Sequence, residues 1–287
     1  MVKAAAGGGG RGMRMIHHQR DLETGIRLCQ AEAGAAFGDP RVYLEKVIFN
    51  ARHIEIQVLA DNHGRAVHLG ERDCSAQRRH QKFIEECPSP AVDETLRSKL
   101  GGWAKAAALA SGYTNAGTVE FLVDRENNCF FLEVNCRLQV EHPITEMATG
   151  KDIVREQIRI AAGERLSLPD DAGRLRGHCL ECRVCAEDPA ADFEPMPGRV
   201  SELRLPSGPG IRVDSHLYAG YDVPPFYDSL IAKIIAWAPS RAQAISRLDR
   251  ALSETVIDGL TTTIPFLRDF LKTEDFRLGR QLASRRD

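Results

Sequence analysis

Apolar residues recur at helical spacing over residues 21–37. Leu22, Ile26, Cys29, Ala33 and Phe37 share one side, Asp21 stands at the N-cap position, and Gly38 follows where a left-handed residue ends a helix. Residues 43–46 and 53–59 read as strands, the second alternating Ile54, Ile56 and Val58 with Glu55 and Gln57. A second helix is predicted over residues 93–111, closed by Gly112. Residues 117–135 read as a hairpin around the polar turn Asp124-Arg125-Glu126-Asn127-Asn128. A third helix covers residues 151–162, with Thr149 and Asp152 as a capping pair and Gly163 as the stop. Residues 164–176 are polar and contain Pro169 and Gly173, which marks a boundary. Beyond it, residues 177–238 are strand-like with Pro and Gly turns, and residues 241–257 form an amphipathic helix. The mixture predicts an α+β protein with one domain over residues 1–165, a small subdomain at 1–47 within it, and a second domain over 176–285.

Composition narrows the classes of function. With 287 residues and 43% apolar content, the chain can bury one large core or two ordinary ones. Lys and Arg total 38 against 40 Asp and Glu, and no stretch interleaves basic and aromatic residues as a nucleic-acid surface does. No apolar run is long enough to cross a bilayer. The eight cysteines form no repeating framework, so reduced thiols in the cytoplasm are expected rather than a secreted disulfide scaffold. Lys3, Arg11, Arg14 and Arg20 precede the first acid, Asp21, as in a transit peptide. However, the glycines of residues 7–10 would each cost such a peptide's helix on the order of 1 kcal/mol relative to Ala.

Those glycines suit a phosphate-facing loop better. Their bare backbone N–H groups can approach phosphate oxygens, with Lys3 and Arg11 adding positive charge; a flexible linker is the alternative, and no Gly-Lys-Ser/Thr follows to make a P-loop. The hairpin carries a sharper signal. Pairing Asp124 with Cys129 runs the register through Val123–Phe130, Leu122–Phe131 and Phe121–Leu132 to Glu120–Glu133. Opposed like charges destabilise a strand pair unless compensated, and no Lys lies opposite either Glu in the hairpin. A divalent cation would compensate them. Asn135 follows Glu133 at period two, and two carboxylates with an amide oxygen suit Mg²⁺ or Mn²⁺. The other candidate is His178-Cys179-Leu180-Glu181-Cys182-Arg183-Val184-Cys185, whose C-x₂-C-x₂-C spacing suggests zinc or iron–sulfur. In a strand, Cys182 points away from Cys179 and Cys185, so small buried thiols are the better reading.

Longer motifs name a family. The run Glu71-Arg72-Asp73-Cys74-Ser75-Ala76-Gln77-Arg78-Arg79-His80-Gln81-Lys82 resembles the ERDCSxQRRxQK signature of biotin carboxylases at every fixed position. Phe131-Leu132-Glu133-Val134-Asn135-Cys136-Arg137-Leu138-Gln139-Val140-Glu141-His142-Pro143, with Thr145 and Glu146, resembles their FxExNxRxQVEHxxTE signature. Glu181 to Pro189 and Tyr221 to Lys233 resemble the C-terminal domain of the same family. The resemblance implies an ATP-grasp fold, a small lid and a central antiparallel sheet, followed by the biotin carboxylase C-terminal domain. It implies that Lys3, Gly8, Gly9, Gly10 and Gly12 close over ATP phosphates, that Glu45 and Ile48 meet adenine, and that His53, Gln77 and His80 line the nucleotide. Glu120, Glu133 and Asn135 take the metal positions. Lys82, Arg137, Gln139 and Val140 take the bicarbonate pocket, Glu141 the general base, and Arg183 the group that stabilises the biotin enolate.

The implied reaction is ATP-dependent carboxylation of biotin on a separate biotin carboxyl carrier protein. Carboxyltransferase subunits then pass the group on, with acetyl-CoA the expected acceptor. Another ATP-grasp carboxylate–amine ligase, or a silent nucleotide- or partner-binding module, are the alternatives. Biotin carboxylases carry a further N-terminal domain before the glycine loop. Here Met1 stands two residues before Lys3, so a chain lacking that domain, with a weakened homodimer, is the expectation. No Met-Lys-Met is present to carry biotin.

Overall fold

The computed structural model describes residues 1–7 and 12–283. Gly8, Gly9 and Gly10 of the expected phosphate loop lie outside the described residues, as does Arg11.

The first unit is a three-stranded sheet, order β2-β1-β3, from β1 (Val2–Ala4), β2 (Met13–Arg14) and β3 (Val42–Leu44). Helix α1 (Leu22–Phe37) packs on it and ends at Gly38, whose φ of 72° confirms the stop. Asp21 precedes the helix but makes no side-chain cap. Next come β4 (Arg52–Ala60), β5 (Ala66–Arg78), β6 (Gln81–Cys87), α2 (Glu94–Ala110), β7 (Asn115–Val123), β8 (Cys129–Asn135), α3 (His142–Thr149) and α4 (Ile153–Ala161). The remainder comprises β9 (His178–Cys185), short strands β10 (Glu187–Asp188), β11 (Glu194–Pro195), β12 (Gly198–Arg199) and β13 (Glu202–Arg204), then β14 (Ile211–Ser215), β15 (Asp222–Val223) and β16 (Leu230–Ala238). Helix α5 (Arg241–Glu254), β17 (Val256–Asp258), α6 (Ile264–Lys272) and α7 (Glu274–Arg277) close the chain.

One eight-stranded sheet, order β14-β16-β9-β6-β5-β4-β7-β8, joins the two halves, since β6 pairs with β9 across the polar stretch before Gly177. Both of its faces are covered. Ile54, Ile56 and Val58 of β4 turn toward Leu96, Leu100 and Ala104 of α2, while Leu180, Cys182 and Val184 of β9 pack with Ala244, Leu248 and Ala251 of α5. On the opposite face, Ile144 and Ala148 of α3 meet Cys87, Cys179 and Ile235. The alternate residues of β4 are therefore not solvated: Glu55 and Gln57 have no exposed surface.

Several boundaries differ from the periodicity reading. The hairpin register is Val123 with Cys129, Leu122 with Phe130 and Phe121 with Phe131; a bulge at Leu132 then restores Glu120 opposite Glu133. Asp152 itself caps α4, accepting from Arg155 N, whereas Thr149 Oγ1 bonds back to Thr145 O at the end of α3. The amphipathic helix expected over residues 241–257 stops at Glu254, because Val256 and Ile257 pair with Arg204 and Leu203 as strand. The strands β5 and β6 carry so many charges that no alternation marks them. Their two-residue turn holds Arg79 and His80 at φ 49° and 64°, the left-handed pair a type I′ hairpin requires.

Candidate active site

Four strands set a row of charged residues across the α3-facing side of the sheet. Arg72 of β5 lies opposite Glu55 of β4, Glu55 opposite Glu120 of β7, and Glu120 opposite Glu133 of β8. Arg72 is completely buried; its Nε donates to Glu55, its Nη1 to Gln57 Oε1 at 2.7 Å and Thr145 Oγ1 at 3.0 Å, and its Nη2 to Thr118 Oγ1 at 3.1 Å. One cation thereby ties three strands to α3. Burial alone would raise the Glu55 carboxyl, but Arg72 and Lys82 outweigh it and hold it at about 2.

Lys82, at the start of β6, is the hub. Its Nζ lies 2.6 Å from Glu55 Oε2, 2.7 Å from Glu141 Oε1 and 3.1 Å from Glu120 Oε1. Burial works against its charge, yet Glu55 foremost, with Glu141 and Glu120, raises it well above the ordinary lysine value. Glu141 stands at the N-cap position of α3 without a side-chain capping bond and is fully buried; its second oxygen, Oε2, accepts from Arg183 Nη2 at 2.9 Å. Arg183 also grips Glu85 Oε1 through Nε at 2.5 Å. From β16, Lys233 Nζ donates to Val140 O at 2.9 Å and fixes the segment leading into Glu141.

The compensation sought for Glu120 thus includes a lysine after all, reaching it from β6 rather than from within the hairpin. His53 Nε2 stands 3.1 Å from Glu120 Oε2, while its Nδ1 meets Gln77 Nε2 at 3.0 Å. Burial would raise the Glu120 carboxyl, but His53 and then Lys82 bring it down to about 2. Glu133 is exposed, and Asn135 Nδ2 reaches its Oε1 at 3.4 Å. The donors on this face, carboxylate and amide oxygens from two paired strands, have the hard-ligand chemistry of a Mg²⁺ or Mn²⁺ site.

Of the expected residues, Lys82, Glu120, Glu141, Arg183, His53 and Gln77 converge. Arg137 is exposed and bonds Gln139 Oε1 at 3.0 Å, two residues before Glu141. Lys3 and Glu45 sit instead on the small sheet, paired with each other at 2.5 Å; Gly12 there has φ 69°, and a Cβ would meet Ala4 Cβ at 2.8 Å. Ile48 lines a cleft of about 360 Å³ between residues 46–50 and the β7–β8 turn. His80 is exposed at the tip of the β5–β6 turn. Cys179 and Cys182 are buried and Cys185 half-buried; burial raises all three thiols, Cys185 to about 12. The sequence reading missed Glu55, Arg72, Glu85 and Lys233. Arg72 stands inside the ERD signature without a role, and Glu55 reads only as a polar position alternating with Ile54 and Ile56; the acid opposite a motif arginine is the signal available for both.

Residues 1–168 match the family model for the carbamoyl-phosphate synthase L chain, ATP binding domain, and residues 181–283 match the biotin carboxylase C-terminal domain. The chain belongs to the biotin carboxylase family. It is 56% identical to the biotin carboxylase of Nostoc sp. over 97% of its own length and 62% of that protein's. It is 52% identical to a pyruvate carboxylase subunit from Methanothermobacter thermautotrophicus, covering 97% of this chain and 57% of that one. The biotin carboxylase domain dimer of Hydrogenobacter thermophilus 2-oxoglutarate carboxylase, solved with MgADP, ADP and bicarbonate, superposes with a TM-score of 0.95 at 47% identity, over 98% of this chain and 62% of that one. The chain therefore spans about three-fifths of the relatives it matches. The fold is of the ATP-grasp type, mixed helix and sheet with a large antiparallel sheet. Among the described residues, no helix is long and apolar enough to cross a membrane.

Proposed function

We propose that this chain performs the first half-reaction of a biotin-dependent carboxylase, using ATP and bicarbonate to carboxylate biotin. The observation that carries the proposal is Glu141, a buried carboxylate held by Lys82 on one oxygen and Arg183 on the other. Bicarbonate is a weak nucleophile until deprotonated. Glu141 would take its proton, and the cations released from that carboxylate would hold the resulting dianion. Arg137, Gln139 and Val140 belong to the same segment and would complete the bicarbonate pocket.

A bicarbonate oxygen then attacks the γ-phosphorus and ADP leaves. Carboxyphosphate breaks down to CO₂ and phosphate, phosphate takes the biotin N1 proton, and N1 adds to CO₂. Arg183 would offset the charge on the ureido oxygen, a role strengthened in a dry site. Glu120, Glu133 and Asn135 would hold the divalent cation, which offsets phosphate charge. Lys3, the loop of Gly8, Gly9, Gly10 and Gly12, Glu45, Ile48, His53, Gln77 and His80 would hold ATP.

A biotin carboxyl carrier protein and carboxyltransferase subunits are the partners this reaction requires, and a homodimer is the assembly we propose. The relatives include pyruvate and 2-oxoglutarate carboxylases as well as plain biotin carboxylases, so acetyl-CoA as final acceptor rests on the partner enzyme rather than on these residues. Eight free thiols support a reducing compartment, the cytoplasm. The test is ATP hydrolysis dependent on bicarbonate and stimulated by free biotin and Mg²⁺. Loss of the biotin-stimulated rate in both Glu141→Gln and Arg183→Ala is expected; stimulation that survives both contradicts the assignment.

A further inference from the structure

Beside Arg183 lies a second acid pair that the proposed chemistry does not use. Glu85 of β6 and Glu181 of β9 are direct register partners, and neither has any exposed surface. Opposed strand residues hold their Cβ atoms roughly 4.5–5.5 Å apart. Arg183 Nε occupies Glu85 Oε1, but Glu85 Oε2 and both oxygens of Glu181 are buried without a hydrogen-bond partner. Two ionised carboxylates so placed would repel each other in a dry interior, and a buried charge without a partner is costly.

The surrounding cations are already engaged. Arg183 serves Glu85 and Glu141, Lys82 serves Glu55, Glu120 and Glu141, and Arg72 serves Glu55. From β16, Lys233 is turned to Val140 O and to Asp214 at 3.3 Å, while Ile235 is the residue opposite Glu181. The other titratable neighbours are the thiols of Cys74 on β5 and of Cys179 and Cys182 on β9, each pushed up by burial and supplying no positive charge. Five carboxylates (Glu55, Glu85, Glu120, Glu141 and Glu181) thus face four cations (Arg72, Lys82, Arg183 and Lys233); Lys233 and Arg183 favour the charged form of Glu181, but burial and the Glu85 carboxylate outweigh them.

We propose that Glu181 is a protonated acid at neutral pH that donates its proton to Glu85 Oε2, so that the pair holds one proton and Glu85 keeps a charged oxygen on Arg183. Glu85 is then a positioning residue: it aims Arg183 Nη2 at Glu141. Glu181 supplies the proton that keeps a second negative charge from competing with Glu141 for the guanidinium. The electrostatics agree, since burial pushes Glu85 up to about 7 and Glu181 well above the carboxylate range.

Infrared spectroscopy of the full chain reads the proton without requiring activity. The expected spectrum at neutral pH contains the carbonyl stretch of a protonated carboxylic acid; the stretch disappears as pH is raised and is absent in Glu181→Gln. A neutral spectrum of the wild-type chain without that band overturns the proposal, whether or not the variant folds. So does a band that Glu181→Gln leaves in place. The consequence for Arg183 rests on the carboxylase reading and has its own assay. The biotin-stimulated rate should decline on the alkaline side as Glu181 loses its proton, and Glu181→Gln should abolish that limb. An alkaline limb unchanged in Glu181→Gln removes the link to Arg183. A chain without turnover, in contrast, counts against the carboxylase reading alone and leaves the infrared result to decide the protonation.

Discussion

Replacing Arg72 with Met removes the charge and keeps most of the volume. It leaves Lys82 as the remaining cation on Glu55, which has no exposed surface and is held at about 2 by Arg72 and Lys82 against its burial. It also leaves Gln57, Thr118 and Thr145 without the guanidinium they share. Removing one partner of a buried ion pair costs about 3–5 kcal/mol, a large share of the roughly 5–15 kcal/mol that holds a domain together. The loss of the three neutral partners adds to this, and the carboxyl of Glu55 should climb toward neutrality. Urea unfolding followed by the fluorescence of Trp103 and Trp237 would show the midpoint fall. Adding Glu55→Gln should recover about 2 kcal/mol, because the under-compensated buried charge has gone while Lys82 keeps Glu120 and Glu141. A loss below about 1 kcal/mol for Arg72→Met, or a double variant as unstable as the two single changes added together, would refute the electrostatic account of this row.

Other outcomes follow from the same structure. Burial raises the Glu86 carboxyl, but bonds from His178 and Arg241 outweigh it and leave it lowered. Its stabilisation is therefore present above the unfolded value, roughly 4.3, and lost as pH falls below it; urea midpoints of Glu86→Gln should decline less on acidification than those of the wild type. Gly177 has φ 67°, and a Cβ there would lie 2.5 Å from Ala238 O, so Gly177→Ala should lower stability by about 1–3 kcal/mol in the same assay. A zinc-selective chelator should leave the melting temperature unchanged, because Cys179 and Cys182 pack in separate apolar clusters.

What could be read in advance was the set of elements with one wet face or a clear cap. Helix α2 starts at Asp93, which accepts from Leu96 N, and α1 stops at Gly38. The long motifs likewise brought Lys82, Glu141 and Arg183 forward, and the fold brings these three within hydrogen-bonding distance along a chain of contacts. The strands of the site were harder. In β5, Glu71, Arg72 and Asp73 are all buried: Glu71 pairs with Arg97 of α2 and Asp73 with Arg52, while Arg72 turns to the opposite face. Period-two reasoning assigns polar residues to water, and it fails where helices cover both faces and the charges neutralise one another across strands. Helix α3 is short and begins at Glu141-His142-Pro143, too little sequence for a helical period to emerge. The Leu132 bulge was invisible for a different reason, since one extra residue leaves no trace in composition, yet it decides whether Glu120 meets Glu133.

In the proposed reaction bicarbonate, activated by Glu141 between Lys82 and Arg183, attacks the γ-phosphate of ATP. Turnover with heavy-oxygen-labelled bicarbonate tests this step most directly, because carboxyphosphate formation leaves a bicarbonate oxygen in the phosphate released. Mass spectrometry should find labelled phosphate from the wild-type chain, and none above background from Glu141→Gln. Phosphate whose new oxygen comes only from water would contradict the account.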